Sequence, residues 1–461
     1  TLQKSLGRIA ASNGFPFAQV KLDSIAWQGA AQLSAKISIN KGELLFFEQI
    51  KLQGDLAISI NYLEQYLGLI PGHPYNEELI QRVPQRLQEL PFLQLKQAPK
   101  VEFIGNQARL ILDLVPKKAS RLDLIVGVLP NSAQTGRLLV TGQLDGTLQN
   151  PFGKGENISI ELEQLRAQSP ELLLTFQYPY LLQLPFGLDT RLEVYRRDTN
   201  FINVSWQLGI DYLLSGGRSV QAFWAQQQTN LLSIDSAKLA QNPLLPDTLD
   251  VRRTAFGLGF QLSQLDYRNN PRKGWSWTFS GSAGQKNVRP NSSIQEFGFG
   301  ELYDSLELRS AQYRLETTAA WYRPFGQRSV LKVGINAAAI IANEPVLANE
   351  QFRIGGNRML RGFDEESIFA TNFVLLSGEY RFLLATNSYL YTFFDWSRVD
   401  NSSLNSTPGI NTQVWYQGFG AGITFETRPG LFGLSLAFGR QDQQAFDLGA
   451  PKVHFGFVSL F

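Results

Sequence analysis

The stretch Phe373-Val-Leu-Leu-Ser-Gly-Glu-Tyr-Arg-Phe-Leu-Leu384 has two unlike faces. Val374, Leu376, Gly378, Tyr380, Phe382 and Leu384 form an apolar row, and Ser377, Glu379 and Arg381 fall between them. A period of two is a strand with one face in an apolar medium. The segment 310–325 repeats the pattern. Tyr313, Leu315, Thr317, Ala319 and Trp321 alternate with Gln312, Arg314, Glu316 and Thr318. A soluble sandwich would give similar alternation. Here, however, strand follows strand without a helix, the segments run to ten residues or more, and Tyr, Trp and Phe gather near their ends. Those are the marks of a membrane barrel.

Working outward, such segments fill the chain from Ser120 onward, separated by Gly, Pro, Asn and Asp clusters. They are read at 121–130, 136–150, 155–168, 169–182, 188–200, 201–214, 218–232, 252–266, 274–286, 310–325, 328–341, 373–384, 388–400, 415–428, 430–441 and 452–461. The total is sixteen, an even number as a single-chain bacterial barrel requires. Short links such as 214–218 alternate with long ones such as 233–251, 286–309 and 342–372. The last of these is the longest, and a structureless loop of that length is usually functional. The expected fold class is an all-β transmembrane barrel of sixteen antiparallel strands, residues 119–461, preceded by an α+β region.

That region lies before residue 118, where helix and strand signals alternate. Leu2, Leu6, Ile9 and Ala10 recur at helical spacing, and strand-like runs follow at 19–27 and 32–40 with a Gly29 turn. A fuller unit comes next. A strand is expected at 46–53 and a helix at 60–67 ended by Gly68. A second helix at 77–90 is capped by Asn76, with a kink at Pro84, and a hairpin at 101–104 and 109–115 turns around Gly105-Asn106. Residues 1–45 show only the second half of this order. The chain is therefore expected to open inside a partial copy of the unit at 46–118, as a processed or trimmed product without a signal peptide.

Composition excludes several classes. The chain of 461 residues has no Cys, two His, and 42 Lys+Arg against 40 Asp+Glu. No disulfide scaffold, thiolate metal site or cysteine nucleophile is available. His73 and His454 are far apart, so no His cluster for a metal is expected. The near-neutral charge gives no reason to expect nucleic acid. No nucleophile elbow or carboxylate pair is recognisable, so no catalytic residue, metal or cofactor is expected. Gly418-Phe-Gly420-Ala-Gly422 lies inside a strand, where small residues admit curvature. Asp364-Glu365-Glu366 reads as a solvated acidic loop.

The 342–372 link contains Gln351-Phe-Arg-Ile-Gly-Gly-Asn-Arg-Met-Leu-Arg-Gly-Phe-Asp364. Arg361-Gly362-Phe363, preceded by Phe352-Arg353-Ile354-Gly355-Gly356, resembles the hallmark loop of the BamA/TamA superfamily of outer-membrane assembly proteins, which includes the two-partner secretion transporters. The N-terminal repeats resemble that family's periplasmic POTRA modules, partial at 1–45 and complete at 46–118. The terminal strand, with Phe455, Phe457 and Phe461, loosely resembles the family's targeting signal. The resemblance implies that the loop folds back into the barrel and docks through Arg361, Gly362 and Phe363, with Gly355 and Gly356 upstream. Arg361 would meet carboxylates on the wall, for which Glu379 and Asp395 are the candidates.

The resemblance also implies a non-enzymatic insertase or translocase in the bacterial outer membrane, with its N-terminal domains in the periplasm. Its partners would be unfolded outer-membrane or secreted client polypeptides, outer-membrane lipid and accessory proteins, with no nucleic acid. The alternatives are a two-partner secretion pore exporting one dedicated protein, or a barrel that anchors an N-terminal hydrolase.

Overall fold

The computed structural model describes residues 2–459 except 28–32, 55, 130–138, 165–167, 215–217, 268–269, 357–358, 403–412, 428–429, 447 and 450. For 33, 123–129, 139–141 and 454–459 only the backbone is described. The chain divides into two compact units.

The first unit holds residues up to 119 together with 149–156 and 178–186. It opens with α1 (Leu2–Ala11) and an antiparallel hairpin of β1 (Gln19–Trp27) and β2 (Leu33–Asn40). Then come β3 (Phe46–Phe47), β4 (Lys51–Gln53), α2 (Ile60–Leu67), α3 (Glu77–Glu89), β5 (Leu93–Leu95), β6 (Lys100–Ile104) and β7 (Gln107–Pro116). Strand β7 is central: β3 and β4 run parallel to it, and β5 and β6 antiparallel.

Ser59 caps α2, and Gly68 ends it in the left-handed conformation at φ 74°. The Asn76 side chain accepts from the Glu78 and Leu79 amides at the start of α3. Leu63, Leu67, Val83 and Leu87 from the two helices bury against Leu110, Leu112 and Leu114 of β7.

Two local readings need correcting. The single strand expected at 46–53 is two short ones, β3 and β4. Between them Ile50 N–H leaves the ladder to donate to the Glu64 carboxylate at 3.1 Å. Strand β5 was missed. Pro84 lies inside α3, within the helix expected there.

The second unit is the barrel. Its strands are β8 (Arg121–Leu129), β9 (Leu139–Gln149), β10 (Asn157–Gln164), β11 (Glu171–Tyr178), β12 (Phe186–Arg197), β13 (Phe201–Leu214), β14 (Arg218–Leu231), β15 (Asp250–Leu265), β16 (Gly274–Arg289), β17 (Arg309–Phe325) and β18 (Ser329–Ala342). A small hairpin of β19 (Phe352–Ile354) and β20 (Ile368–Ala370) lies in the long loop, and β21 (Asn372–Leu383), β22 (Tyr389–Asp400), β23 (Gln413–Glu426), β24 (Gly430–Gln441) and β25 (Lys452–Ser459) complete the wall. Apart from β19 and β20, each strand pairs with its neighbour in sequence, which gives one sixteen-stranded sheet. Strands β8 and β25 lie beside one another at its ends, and among the described residues no backbone ladder joins them.

The pleat sorts the side chains. On β21, Val374, Leu376, Tyr380 and Phe382 are exposed to the outside, while Phe373, Leu375, Glu379 and Arg381 are buried within. On β13, Trp206, Leu208, Ile210 and Tyr212 form the outer row. An apolar outer band is what hydrocarbon requires.

The long links are not free of helix, contrary to expectation. Helices α4 (Ser236–Gln241) and α5 (Ser292–Glu296) start at Asp235 and Asn291, whose side chains accept amides of the first turn. Leu239, Leu249, Ile294, Tyr303 and Leu347 gather from three long links into a separate apolar core.

Candidate functional site

The site is the long loop where it meets the barrel wall. Glu379 on β21 and Asp395 on β22 both face inward, and the β21/β22 register pairs Glu379 with Phe393 and Ser377 with Asp395. Period-two alternation therefore places Glu379, Phe393 and Asp395 on one patch.

Arg361 reaches this patch from the loop. Its Nε and Nη2 donate to the two Asp395 oxygens at 2.8 and 2.6 Å, and its Nη1 donates to Glu379 Oε2 at 3.1 Å. The Arg361 backbone N–H adds a bond to Asp395 Oδ2 at 3.1 Å. The guanidinium lies 3.6 Å from the centroid of the Phe393 ring. Asp395 is fully buried, and Glu379 and Arg361 are 6% and 9% exposed. A two-pronged fork on a carboxylate with an aromatic floor uses the planarity that distinguishes Arg from Lys. Arg381 donates to the other Glu379 oxygen at 2.6 Å and to Asn270 at 3.0 Å, and Lys332 lies 4.0 Å from Glu379.

The loop backbone comes as close to the wall as its side chain does. Gly362 has φ +94°, a conformation that favours glycine, and a β-carbon there would stand 2.6 Å from the Phe438 carbonyl carbon. On the wall, Gly418 and Gly439 are cross-strand partners in β23/β24. A β-carbon on Gly418 would lie 2.0 Å from the Arg361 carbonyl oxygen, and one on Gly439 would lie 2.4 Å from the Gly362 carbonyl oxygen. Phe363 then packs edge-on against Tyr416 with centroids 5.3 Å apart. Gly355 and Gly356 follow β19 directly and turn tightly, with β-carbon positions against Asp364 and Glu365.

The structure thus brings Arg361, Gly362, Phe363, Glu379 and Asp395 together and places Gly355 and Gly356 upstream in the same loop. Phe455 and Phe457 pair in register with Leu434 and Phe432. Their side chains and Phe461 lie outside the described residues.

Several participants were missed in sequence. Phe393 is adjacent but one to Asp395, and period two alone would have put it on the same face. Gly418 was read as a curvature device. Its lack of a side chain instead admits the Arg361 carbonyl, and Gly420 and Gly422 admit the Phe393 and Tyr391 rings. The acidic run at 364–366 is not simply solvated, because Glu366 pairs with Arg353 at 2.7 Å and Asp364 with Lys452 at 2.7 Å. Glu350, at the start of the loop, is buried. Its carboxylate accepts from Lys286 at 2.6 Å and Gln312 at 2.8 Å, and its carbonyl from Arg314 at 2.6 Å. Three further carboxylates, Asp145, Glu161 and Glu163, converge within 4.8 Å on β9 and β10. No feature of the sequence marked them as neighbours.

A sixteen-stranded barrel whose long loop returns to the inner wall on an Arg-Gly-Phe tip defines a class of outer-membrane transport and assembly proteins. The Omp85 superfamily domain matches residues 150–458, and the chain belongs to that superfamily, which spans BamA/TamA-type assembly proteins and two-partner secretion transporters. Among solved structures it is similar to BamA from Haemophilus ducreyi lacking POTRA domains 1-3, at 14% identity and TM-score 0.56, covering 100% of this chain and 93% of that one. It is similar to CdiB from Escherichia coli at 14% identity and TM-score 0.62, covering 100% and 83%. CdiB from Acinetobacter baumannii shares 17% identity at TM-score 0.59, covering 97% and 78%. At these identities the likeness is one of fold. No curated protein matches the chain. The family places it in the bacterial outer membrane, as an insertase or a secretion transporter acting on polypeptides.

Proposed function

We propose that the chain is an insertase or translocase that handles its clients at the seam between β8 and β25. Residues 46–118 are a complete POTRA module and residues 1–45 the latter half of another, both in the periplasm. The repeated order supports this: α1 leads into the β1/β2 hairpin as α3 leads into β6/β7. The modules would receive unfolded clients by adding a strand to an exposed sheet edge. The protein performs no catalysis and needs no cofactor; Arg361, Glu379 and Asp395 serve to hold the loop.

The observation that carries the seam over the lumen is the loop itself. It is fixed to the inner wall by buried, charge-assisted bonds, whereas β8 and β25 meet without a ladder among the described residues. A seam with few backbone bonds opens at low cost and offers strand edges to a client.

The test is reconstitution of the full chain in lipid vesicles with an unfolded barrel client. Faster client folding, read as a heat-sensitive gel shift, is expected. Cross-links should form from single cysteines placed on β8 and β25, which are the only thiols in a chain without Cys. Client delivered across the bilayer without folding into it would instead favour the secretion pore. No effect on any polypeptide would leave the role of membrane anchor for a hydrolase.

A further inference from the structure

The Arg361 patch is one end of the loop's attachment. The other end involves a residue that neither the Arg-Gly-Phe tip nor its carboxylates require. Arg353 lies on β19, and its register partner on β20 is Phe369. Its Nη1 is 3.1 Å from Glu171 on β11, and its Nη2 is 3.8 Å from Glu193 on β12. The guanidinium stacks 3.6 Å from the centroid of Tyr195, also on β12. The contact is reciprocal, because Arg197 of β12 lies over the ring of Phe369 at 4.4 Å. Hairpin and wall therefore exchange a cation for a ring in both directions. Glu366 alone, at 2.7 Å within the loop, would neutralise Arg353. The two wall carboxylates and Tyr195 add direction, which neutralisation does not need.

The strand order locates this contact. Counting from β8, β11 and β12 are the fourth and fifth strands, and β21 and β22 are the twelfth and thirteenth. The two anchors are eight strands apart in a ring of sixteen, on opposite sides of the wall. We propose that Arg353 is a second anchor, and that the loop holding both Arg353 and Arg361 acts as a strut across the lumen which opens only when both ends release. Arg353 acts here as a positioning residue. The inference goes beyond the insertase reading and needs no client, so the two fail separately.

The experiment is single-channel recording of the full chain in planar bilayers. Arg353→Ala should raise the fraction of time open by about tenfold, as loss of one charge-assisted anchor implies. Arg353→Lys should fall between that and the parent, because it keeps the charge but loses the fork and most of the stacking. Arg353→Ala with Arg361→Ala should open more than either alone. Arg353→Ala and Glu171→Gln should be less than additive in their effect on gating, because both remove the same contact, whereas unrelated structural defects would add. If Arg353→Ala does not fold, judged by heat-dependent gel mobility, Tyr195→Leu and Glu193→Gln take its place, with the same expected direction. Recordings of folded Arg353 or substitute variants that match the parent, while Arg361→Ala opens, would overturn the proposal. So would fully additive effects of folded Arg353→Ala and Glu171→Gln.

Discussion

Gly418→Ala is the sharpest test of the docked loop, because its expected sign is opposite to the ordinary one. Replacing Gly by Ala inside a strand usually gains about 0.5–1 kcal/mol through lost backbone freedom in the unfolded chain. Here the new methyl group would stand 2.0 Å from the Arg361 carbonyl oxygen and 3.1 Å from its carbonyl carbon. Reaching ordinary contact requires the loop backbone to retreat by about 1.4 Å. The Arg361 fork bonds, now 2.6 and 2.8 Å, would then stretch to about 4 Å and cease to be hydrogen bonds. Overpacking costs about 1–3 kcal/mol and breaking a buried pair about 3–5 kcal/mol. A net loss of about 3 kcal/mol in docking is expected, roughly a hundredfold in the docked population. Gly378→Ala on β21 is the control, since the nearest atom to its β-carbon is 4.0 Å away. The assay is limited proteolysis of the 342–372 loop in detergent, with the half-life of the heat-resistant barrel as second readout. The expected result is faster cleavage for Gly418→Ala and parent-like behaviour for Gly378→Ala. A Gly418→Ala protein as protected and as long-lived as the parent would refute the close-contact account.

Three other outcomes follow. Asp395→Asn should loosen the loop more than Glu379→Gln, because Asp395 accepts three of the four bonds from Arg361; the cost is about 3–5 kcal/mol, and a double-mutant cycle with Arg361→Ala measures it. Glu350→Gln removes the charge that holds Lys286 and should lower the melting temperature of the region around α4 and α5, followed by hydrogen exchange at Leu249 and Ile294. In the first unit, two carboxylates respond to pH with opposite signs. The Arg109 hydrogen bond holds Glu48 below its usual range, so its contribution is present above the unfolded pKa and lost as pH falls through the lowered folded value. Burial raises Glu64, against a smaller opposing effect of the Ile50 amide. Its contribution is therefore full below the unfolded value and lost as pH rises through the raised one. Thermal unfolding of Glu48→Gln and Glu64→Gln between about pH 3 and pH 7 should flatten the two slopes separately, and equal slopes in parent and variants would refute the assignment.

Much of the barrel was legible because a strand in hydrocarbon has little choice. Each outward position must be apolar and each inward one can be polar, so period two is written along every strand and the turns between are marked by Gly, Pro, Asn and Asp. All sixteen wall strands lie where that pattern places them, within a few residues at their ends. The short elements were harder. β3, β4 and β5 are two or three residues long, too few for a period to show. α4 and α5 carry N-caps that could have been read, but an amphipathic pattern needs more turns than they have.

Period two in the sequence was enough to put Glu379 and Asp395 on the inward face, and the length of the link marked Arg361 as a cation in an unusually long loop. Only the tertiary structure determined where that loop lands. Register between β21, β22 and β23 sets which inward residues become neighbours, and residues as distant as Glu171 and Arg353 are joined by the curvature of the wall. A glycine such as Gly418 contributes by the space it leaves, and its own neighbours in sequence do not reveal what fills that space. The carbonyl that fills it belongs to Arg361, on a loop more than fifty residues earlier in the chain.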